Sequence, residues 1–275
     1  MRYVLGGMAS RIITLTTDFG SNDPFVGIMK GVMLRINPDL QLVDITHQIE
    51  PYNILEASMV LRSYYPYYPV GTIHLVVVDP DVGSLRRPIL AWTQDHYFIV
   101  PDNGVLSLVY QDSCFRGVRE ITARNYFLKE VSATFHGRDI FSPVTAWLAS
   151  GVEPSSLGPQ IQDYIRLAIP QPKWVTEKEV HGEIIYIDRF GNLISNISES
   201  TIKQNIASFK NKEDVHIWMG SVNIHGINNF YGEGNPGESC AIINSWGCLE
   251  IYLNLGSAMQ VLGINKGQSL KVQFL

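Results

Sequence analysis

The run Leu75-Val76-Val77-Val78 leads directly into Asp79-Pro80-Asp81-Val82-Gly83. Four consecutive apolar residues, three of them β-branched, predict a strand buried on both faces. The proline and glycine break it, which puts Asp79 at the strand's C-terminal edge, where open α/β sheets bind ligands. Arg86 and Arg87 follow three residues past Gly83, so an acid and a base can meet across one turn. Ile12 to Thr17 ends the same way, in Asp18-Phe19-Gly20. Two such strands predict one rim of a parallel sheet carrying two carboxylates. The plainer reading is that each acid only caps a turn or a helix. The pair, taken with the arginines, favours a site.

Helical periodicity alternates with these strands. Asp23-Pro24 reads as an N-cap followed by proline at the first helical position. Val26, Met29, Val32, Met33 and Ile36 follow at helical spacing, and Asn37-Pro38 ends the element. Leu40 to Ile45 reads as a strand, and Asn53 with Glu56 as a capping box. Ile89 to Trp92 and Tyr97 to Val100 read as further strands. Pro101-Asp102-Asn103-Gly104 is expected to open a helix through Leu106 and Val109. Phe135-His136-Gly137-Arg138-Asp139 precedes a helix bearing Val144, Trp147 and Leu148, with Gly151 as its stop. This alternation predicts an α/β layer domain with a mostly parallel sheet. Past the proline-rich stretch 169–173 the texture changes. Segments 182–188, 193–197, 215–219, 240–244, 249–253 and 270–274 all read as strands, punctuated by Gly and Asn, as in a small antiparallel barrel. The expected division is an extension over 1–10, an α/β domain over 11–174 and a β-barrel domain over 175–275.

The chain has 275 residues and is 45% hydrophobic, enough for a sizeable core and too apolar for a disordered chain. Its net charge of −5 offers no basic excess for a phosphate backbone, which argues against nucleic acid as a partner. No apolar run reaches membrane-spanning length, so no membrane partner is expected. The cysteines, Cys114, Cys240 and Cys248, are odd in number and lack metal-ligand spacing. They read as reduced thiols of a cytoplasmic protein, with no metal site.

Two more groups of residues can carry chemistry. His136 stands beside a glycine at an expected helix N-terminus, where a ligand can approach closely, although a lone histidine is more often structural. Asp188-Arg189-Phe190-Gly191-Asn192 and Asn244-Ser245-Trp246-Gly247 each place polar groups beside an aromatic ring in a turn. Alone, each is ordinary hairpin chemistry.

Together, and in this order, five motifs resemble the S-adenosyl-L-methionine hydrolases, also called S-adenosylmethionine hydroxide adenosyltransferases, which are related to the fluorinases and chlorinases. They are Thr17-Asp18-Phe19-Gly20, the 76–83 motif with its arginines, 134–141, 187–192 and 243–251. The resemblance covers residues 11–275. It implies a two-domain subunit and a homotrimer with active sites between subunits. It also implies hydrolysis of S-adenosyl-L-methionine to adenosine and methionine, with that molecule as substrate and no cofactor. Asp79, Arg86 and His136 match the set that handles water. Asp18 matches the acid that grips the ribose hydroxyls, and Tyr52 an aromatic lying against the nucleoside. Asp188 and Asn192, with Phe190 between them, match groups that hold the methionine end and nearby ribose or base atoms. Tyr231, Ser245 and Asn254 match the lining of the adenine pocket. Asp81 departs from the family, which carries glycine there.

Three other readings compete. A halide-using adenosyltransferase has different residues at the aspartate and histidine positions. A non-catalytic S-adenosylmethionine or adenosine binder has no need of Asp79, Arg86 and His136 together. A haloacid-dehalogenase-type phosphotransferase, suggested by Asp79-Pro80-Asp81-Val82, needs an Asp-Asp pair after a later strand, and none is present.

Overall fold

The computed structural model describes residues 11–205 and 214–275, and the 1–10 extension lies outside them. The chain forms two compact units that divide between Ile169 and Pro170.

The first unit is built on a seven-stranded sheet: β1 Ile12–Thr17, β2 Gln41–Thr46, β3 Ile73–Val77, β4 Pro88–Thr93, β5 Tyr97–Pro101, β6 Phe115–Glu120 and β7 Gln160–Ile161. The order is β2-β1-β3-β5-β4-β6-β7. Strands β2, β1, β3 and β5 pair in parallel, while β4, β6 and β7 join antiparallel. Alternation along β3 shows why its sequence is continuously apolar. Ile73, Leu75 and Val77 enter one core with Met29, Met33, Phe141 and Val144, whereas Val76 and Val78 enter another with Ala57 and Leu61. Both faces are therefore buried, one under helices α1 (Phe25–Ile36) and α3 (Ser142–Ala149) and the other under α2 (Ile54–Tyr64).

The helix ends refine the expectations. The Asn53 side chain accepts from the Glu56 N–H at 3.0 Å, the N-terminal half of the expected capping box. At α1 the cap is one residue later than expected. The Pro24 carbonyl accepts the first helical bond from Ile28 at 2.9 Å, so Pro24 is the cap and Asp23 lies outside it. Asn37 is extended and ends α1, as the following proline requires. The helix expected after Pro101 is absent. In its place are a turn and a single 3₁₀ turn at Val109–Gln111. Here side chains compete with helical bonding: Asn103 accepts from the Val105 N–H and donates to the Val78 carbonyl, and Ser107 Oγ donates to the Gly104 carbonyl.

Among its described residues the strands of the second unit pair antiparallel, accompanied by two short α-helices, α4 Glu199–Asn205 and α5 Ala258–Leu262, and a 3₁₀ turn at Tyr231–Glu233. Its strands are β8 Lys173–Thr176, β9 Glu179–Ile187, β10 Leu193–Ser198, β11 Val215–Met219, β12 Val222–His225, β13 Ser239–Ile243, β14 Cys248–Leu253 and β15 Ser269–Phe274. They order as β12-β11-β15-β9-β10-β14-β13, with β8 added beside β9. The path nearly closes, because the Asn228 N–H, just beyond β12, donates to Ala241 of β13 at 2.7 Å. Alternate residues such as Val180, Ile184, Ile217, Ile251 and Val272 fill the interior, which makes this a small barrel.

One buried feature of the first unit couples folding to pH. His74 is fully buried in β3, with Nδ1 2.8 Å from Thr14 Oγ1 and Nε2 3.4 Å from His96 Nδ1. Burial, aided by His96, holds His74 well below the ordinary histidine range, and burial also lowers His96. Above the unfolded-state pKa, about 6.5, both forms of the protein carry neutral rings. Below it the unfolded chain takes up protons that the folded one refuses, so stability falls with pH. The Tm is expected to drop between about pH 7.5 and about pH 5.5, and His74→Gln should reduce that drop. An identical drop in the variant would remove His74 as its source.

Candidate active site

The C-terminal edge of the parallel strands carries the first cluster. Asp79 stands two residues past β3, and Arg86 returns to it at the end of the 80–85 loop. The guanidinium grips the carboxylate with two bonds, Nε to Oδ1 at 3.0 Å and Nη2 to Oδ2 at 2.5 Å. Both side chains are only 4% exposed, so the pair is desolvated. Nη2 also lies 3.1 Å from His136 Nδ1, which must accept from it. The Arg86 guanidinium packs over the Phe141 ring, 5.1 Å from its centroid. Its Nη1 is buried with no hydrogen-bond partner among the described residues.

Gly83 makes this convergence possible. A Cβ there would sit 2.1 Å from the Ala133 carbonyl oxygen, so only glycine lets the Asp79–Arg86 loop press against the segment that leads to His136. His136 precedes a π-helical turn, Gly137–Phe141, that runs into α3. The Asp139 carboxylate holds the approach by accepting from the Ser132 N–H at 2.8 Å.

The titration behaviour follows from this packing. Burial pushes the Asp79 carboxyl up, Arg86 and His136 act against that push, and Asp81 adds to it slightly. The residue that departs from the family pattern therefore acts in the direction its charge requires. Burial and then the Arg86 charge lower His136. Its ring is neutral at neutral pH, and because Nδ1 accepts from Arg86 the proton sits on Nε2.

Arg87 takes no part. It ties Asp102, at 2.7 Å, to Asp163, at 3.0 Å. An open cleft of about 600 Å³ lies along this loop, lined by Asp81, Ser84, Leu85, Arg86, Asn103 and Ile165 among others.

Asp18 follows β1, the strand paired with β3. Its Oδ2 accepts from the Tyr52 N–H at 2.9 Å. Tyr52 has φ +68°, a left-handed backbone that a tyrosine rarely adopts, and the residue is 71% exposed. The structure therefore brings Asp18 and Tyr52 together as one element of the sheet edge.

The second unit holds the other candidates. Asp188 closes a turn on itself: Oδ1 accepts from the Phe190 and Asn192 N–H groups and Oδ2 from Asn192 Nδ2, all at 2.9 Å. Phe190 projects at 76% exposure from that turn. Tyr231 donates its hydroxyl to Glu250 Oε1 at 2.8 Å, and Asn244 Nδ2 donates to Oε2 at 2.9 Å. Asn244 also accepts from the Trp246 and Cys248 N–H groups, shaping the turn on which Ser245 is exposed. Asn254 Nδ2 donates to the Gly234 carbonyl at 2.6 Å.

Glu250, inside the 243–251 motif, joins this cluster although the family resemblance gives it no role. Its side chain is buried and its carboxyl is pushed up by burial, against the bonds from Asn244 and Tyr231. The available signal was an acid placed amid the apolar β14 run Leu249–Leu253. Among the described residues no group of three or more His, Cys, Asp or Glu is arranged to hold a metal, and no helix is long and apolar enough to cross a membrane.

An α/β unit that gathers an Asp-Arg-His cluster at its strand ends, linked in one chain to a barrel with a polar turn cluster, defines a narrow class of protein. Residues 13–158 match the N-terminal domain of the SAM hydroxide adenosyltransferases, and residues 182–271 match their C-terminal domain. The chain belongs to this family. It is 34% identical to the (R)-S-adenosyl-L-methionine hydrolase of Salinispora tropica, over 94% of this chain and 97% of that one. A structure of an uncharacterized conserved protein from Thermotoga maritima superposes with a TM-score of 0.88 at 37% identity, covering 95% of this chain and 99% of the other. The fluorinase of Actinopolyspora mzabensis is more distant, at 24% identity over 95% of this chain and 96% of its own.

Proposed function

We propose that this chain hydrolyses S-adenosyl-L-methionine, with water attacking C5′ of the ribose and methionine leaving to yield adenosine. The observation that carries this reading is the desolvated Asp79–Arg86 pair bonded to His136, with Arg86 Nη1 still unspent. The leaving group departs from a sulfonium as a neutral thioether and needs no proton. The protein's task is then to hold one water in line and strip it of competitors. Positioning of that kind accounts for up to about 7–11 kcal/mol of barrier in well-oriented systems.

Water, with a pKa of about 15.7, is too weak an acid for a carboxylate to ionise in advance. Asp79 orients the water and takes its proton as charge develops. Arg86 fixes the carboxylate and keeps it ionised. His136 supplies a further hydrogen bond to the water. Asp18 accepts from the ribose hydroxyls, with Tyr52 against the nucleoside. Asp188, Phe190 and Asn192 hold the methionine end and adjacent atoms, while Tyr231, Ser245 and Asn254 line the adenine pocket. The identity to a named hydrolase, higher than that to a named fluorinase, supports water over halide as nucleophile.

Purified protein incubated with S-adenosyl-L-methionine should release adenosine and methionine in equal amounts, read by chromatography. Turnover should persist in a chelator, since no step calls for a metal. Loss of adenosine on chelation, restored by a divalent ion, would overturn the metal-free mechanism, and 5′-halo-5′-deoxyadenosine as the main product would overturn water as nucleophile. The family resemblance supports a cytoplasmic homotrimer, and sedimentation of the active protein at the trimer mass is the expected accompaniment.

A further inference from the structure

The loop that presents Asp18 is held from both sides by a single residue outside every motif discussed above. Thr17 is fully buried, and its Oγ1 lies 2.9 Å from His47 Nδ1. The same oxygen accepts from the Phe19 N–H at 3.3 Å. On the far side of Asp18, the Gly20 N–H donates to the His47 carbonyl at 2.7 Å. Gly20 has φ +68°, a conformation that lets the chain double back onto His47. His47 thus anchors the residue before Asp18 through its side chain and the second residue after it through its backbone.

The ring is itself oriented. Its Nε2 lies 3.0 Å from Asp44 Oδ1, a close polar contact that does not form a hydrogen bond. Lys30 of α1 completes the chain, 2.5 Å from Asp44 Oδ2. Phe19 N–H donates to Thr17 Oγ1, and in the tautomer where the threonine hydroxyl donates to Nδ1 the ring proton sits on Nε2, on the side of Asp44.

The Thr-His-Asp order invites comparison with a nucleophile triad, but Thr17 is fully buried in the sheet edge and its hydroxyl is occupied on both sides. What the geometry controls is the placement of Asp18. We infer that His47, oriented by Asp44 and Lys30, is a positioning residue that aims the Asp18 carboxylate at the ribose hydroxyls of the ligand. The inference rests on the proposed reading of Asp18 as the ribose-binding acid.

The test compares two ligands, adenosine and 2′,3′-dideoxyadenosine, by calorimetry on the full chain. Wild type should prefer adenosine by roughly tenfold or more, the scale of hydrogen bonds to a charged acceptor. His47→Ala should narrow that preference to within about threefold, because a displaced carboxylate no longer tells the two ligands apart. General damage to the fold would weaken both ligands and leave the ratio intact. His47→Asn, whose side-chain amide can still bond Thr17 Oγ1, should retain most of the preference. Should His47→Ala fail to fold, Asp44→Asn is read in the same way and should narrow the ratio less. A wild type that binds both ligands equally would overturn the reading of Asp18 and the inference with it. A wild type that discriminates, beside a variant that discriminates just as well, would overturn the inference alone.

Discussion

Asp79→Asn should lower kcat by about 10²–10⁴-fold, the usual worth of general-base assistance, while binding of S-adenosyl-L-methionine changes far less. Asparagine keeps the shape of the side chain but can take no proton. It also replaces one acceptor oxygen with an amide that points donors at the Arg86 guanidinium, so one of the two bonds at 2.5 and 3.0 Å is lost. The released arginine loses its fixed orientation toward His136 Nδ1. Both consequences act on the reacting water, and neither touches Asp18 or the second unit. Single-turnover rates, which report chemistry apart from product release, are the appropriate measurement. A near-normal rate would reduce Asp79 to a turn residue. Asp81, the neighbouring carboxylate that pushes the Asp79 carboxyl up, would then be the group to substitute.

Much of this site was legible in the sequence because its parts sit where chain geometry leaves few choices. A doubly buried strand must end at a sheet edge, and both Asp18 and Asp79 follow adjacent parallel strands. The capping pair Asn53 and Glu56 was readable for the same reason, since it is local. Most of what escaped was non-local. The strands β6 and β7 are short or polar and are defined by partners far along the chain. The helix expected after Pro101 was lost to Asn103 and Ser107, whose side chains bond to carbonyls and N–H groups that periodicity cannot foresee. His47 and Glu250 were missed because each acts through groups distant in sequence, Thr17 for one and Tyr231 for the other. The split between the two arginines was also hidden: Arg86 turns to Asp79 while Arg87 turns to Asp102 and Asp163.

Removing Arg86 should have the largest effect on stability. Arg86→Met keeps an apolar stem against Phe141 but leaves Asp79 buried without its partner. Breaking a desolvated ion pair from one side costs about 3–5 kcal/mol, and the lower end is expected here because the 80–85 loop is exposed and can admit water. The sign of the pH dependence makes the cause identifiable. An unpartnered buried Asp79 has a folded-state pKa raised above its unfolded value. The folded protein then holds the proton more tightly, and the lost stability returns as pH falls below that raised pKa. Denaturant unfolding of Arg86→Met should therefore show a deficit relative to wild type that shrinks on acidification. The double variant Asp79→Asn with Arg86→Met removes both charges and should recover most of the deficit at neutral pH while remaining inactive. That combination separates the two roles of the pair: two charges that need each other to be buried, and a carboxylate that the chemistry needs ionised. A deficit in Arg86→Met that is independent of pH, or one that persists in full in the double variant, would place the lost stability in packing against Phe141 instead of in the ion pair.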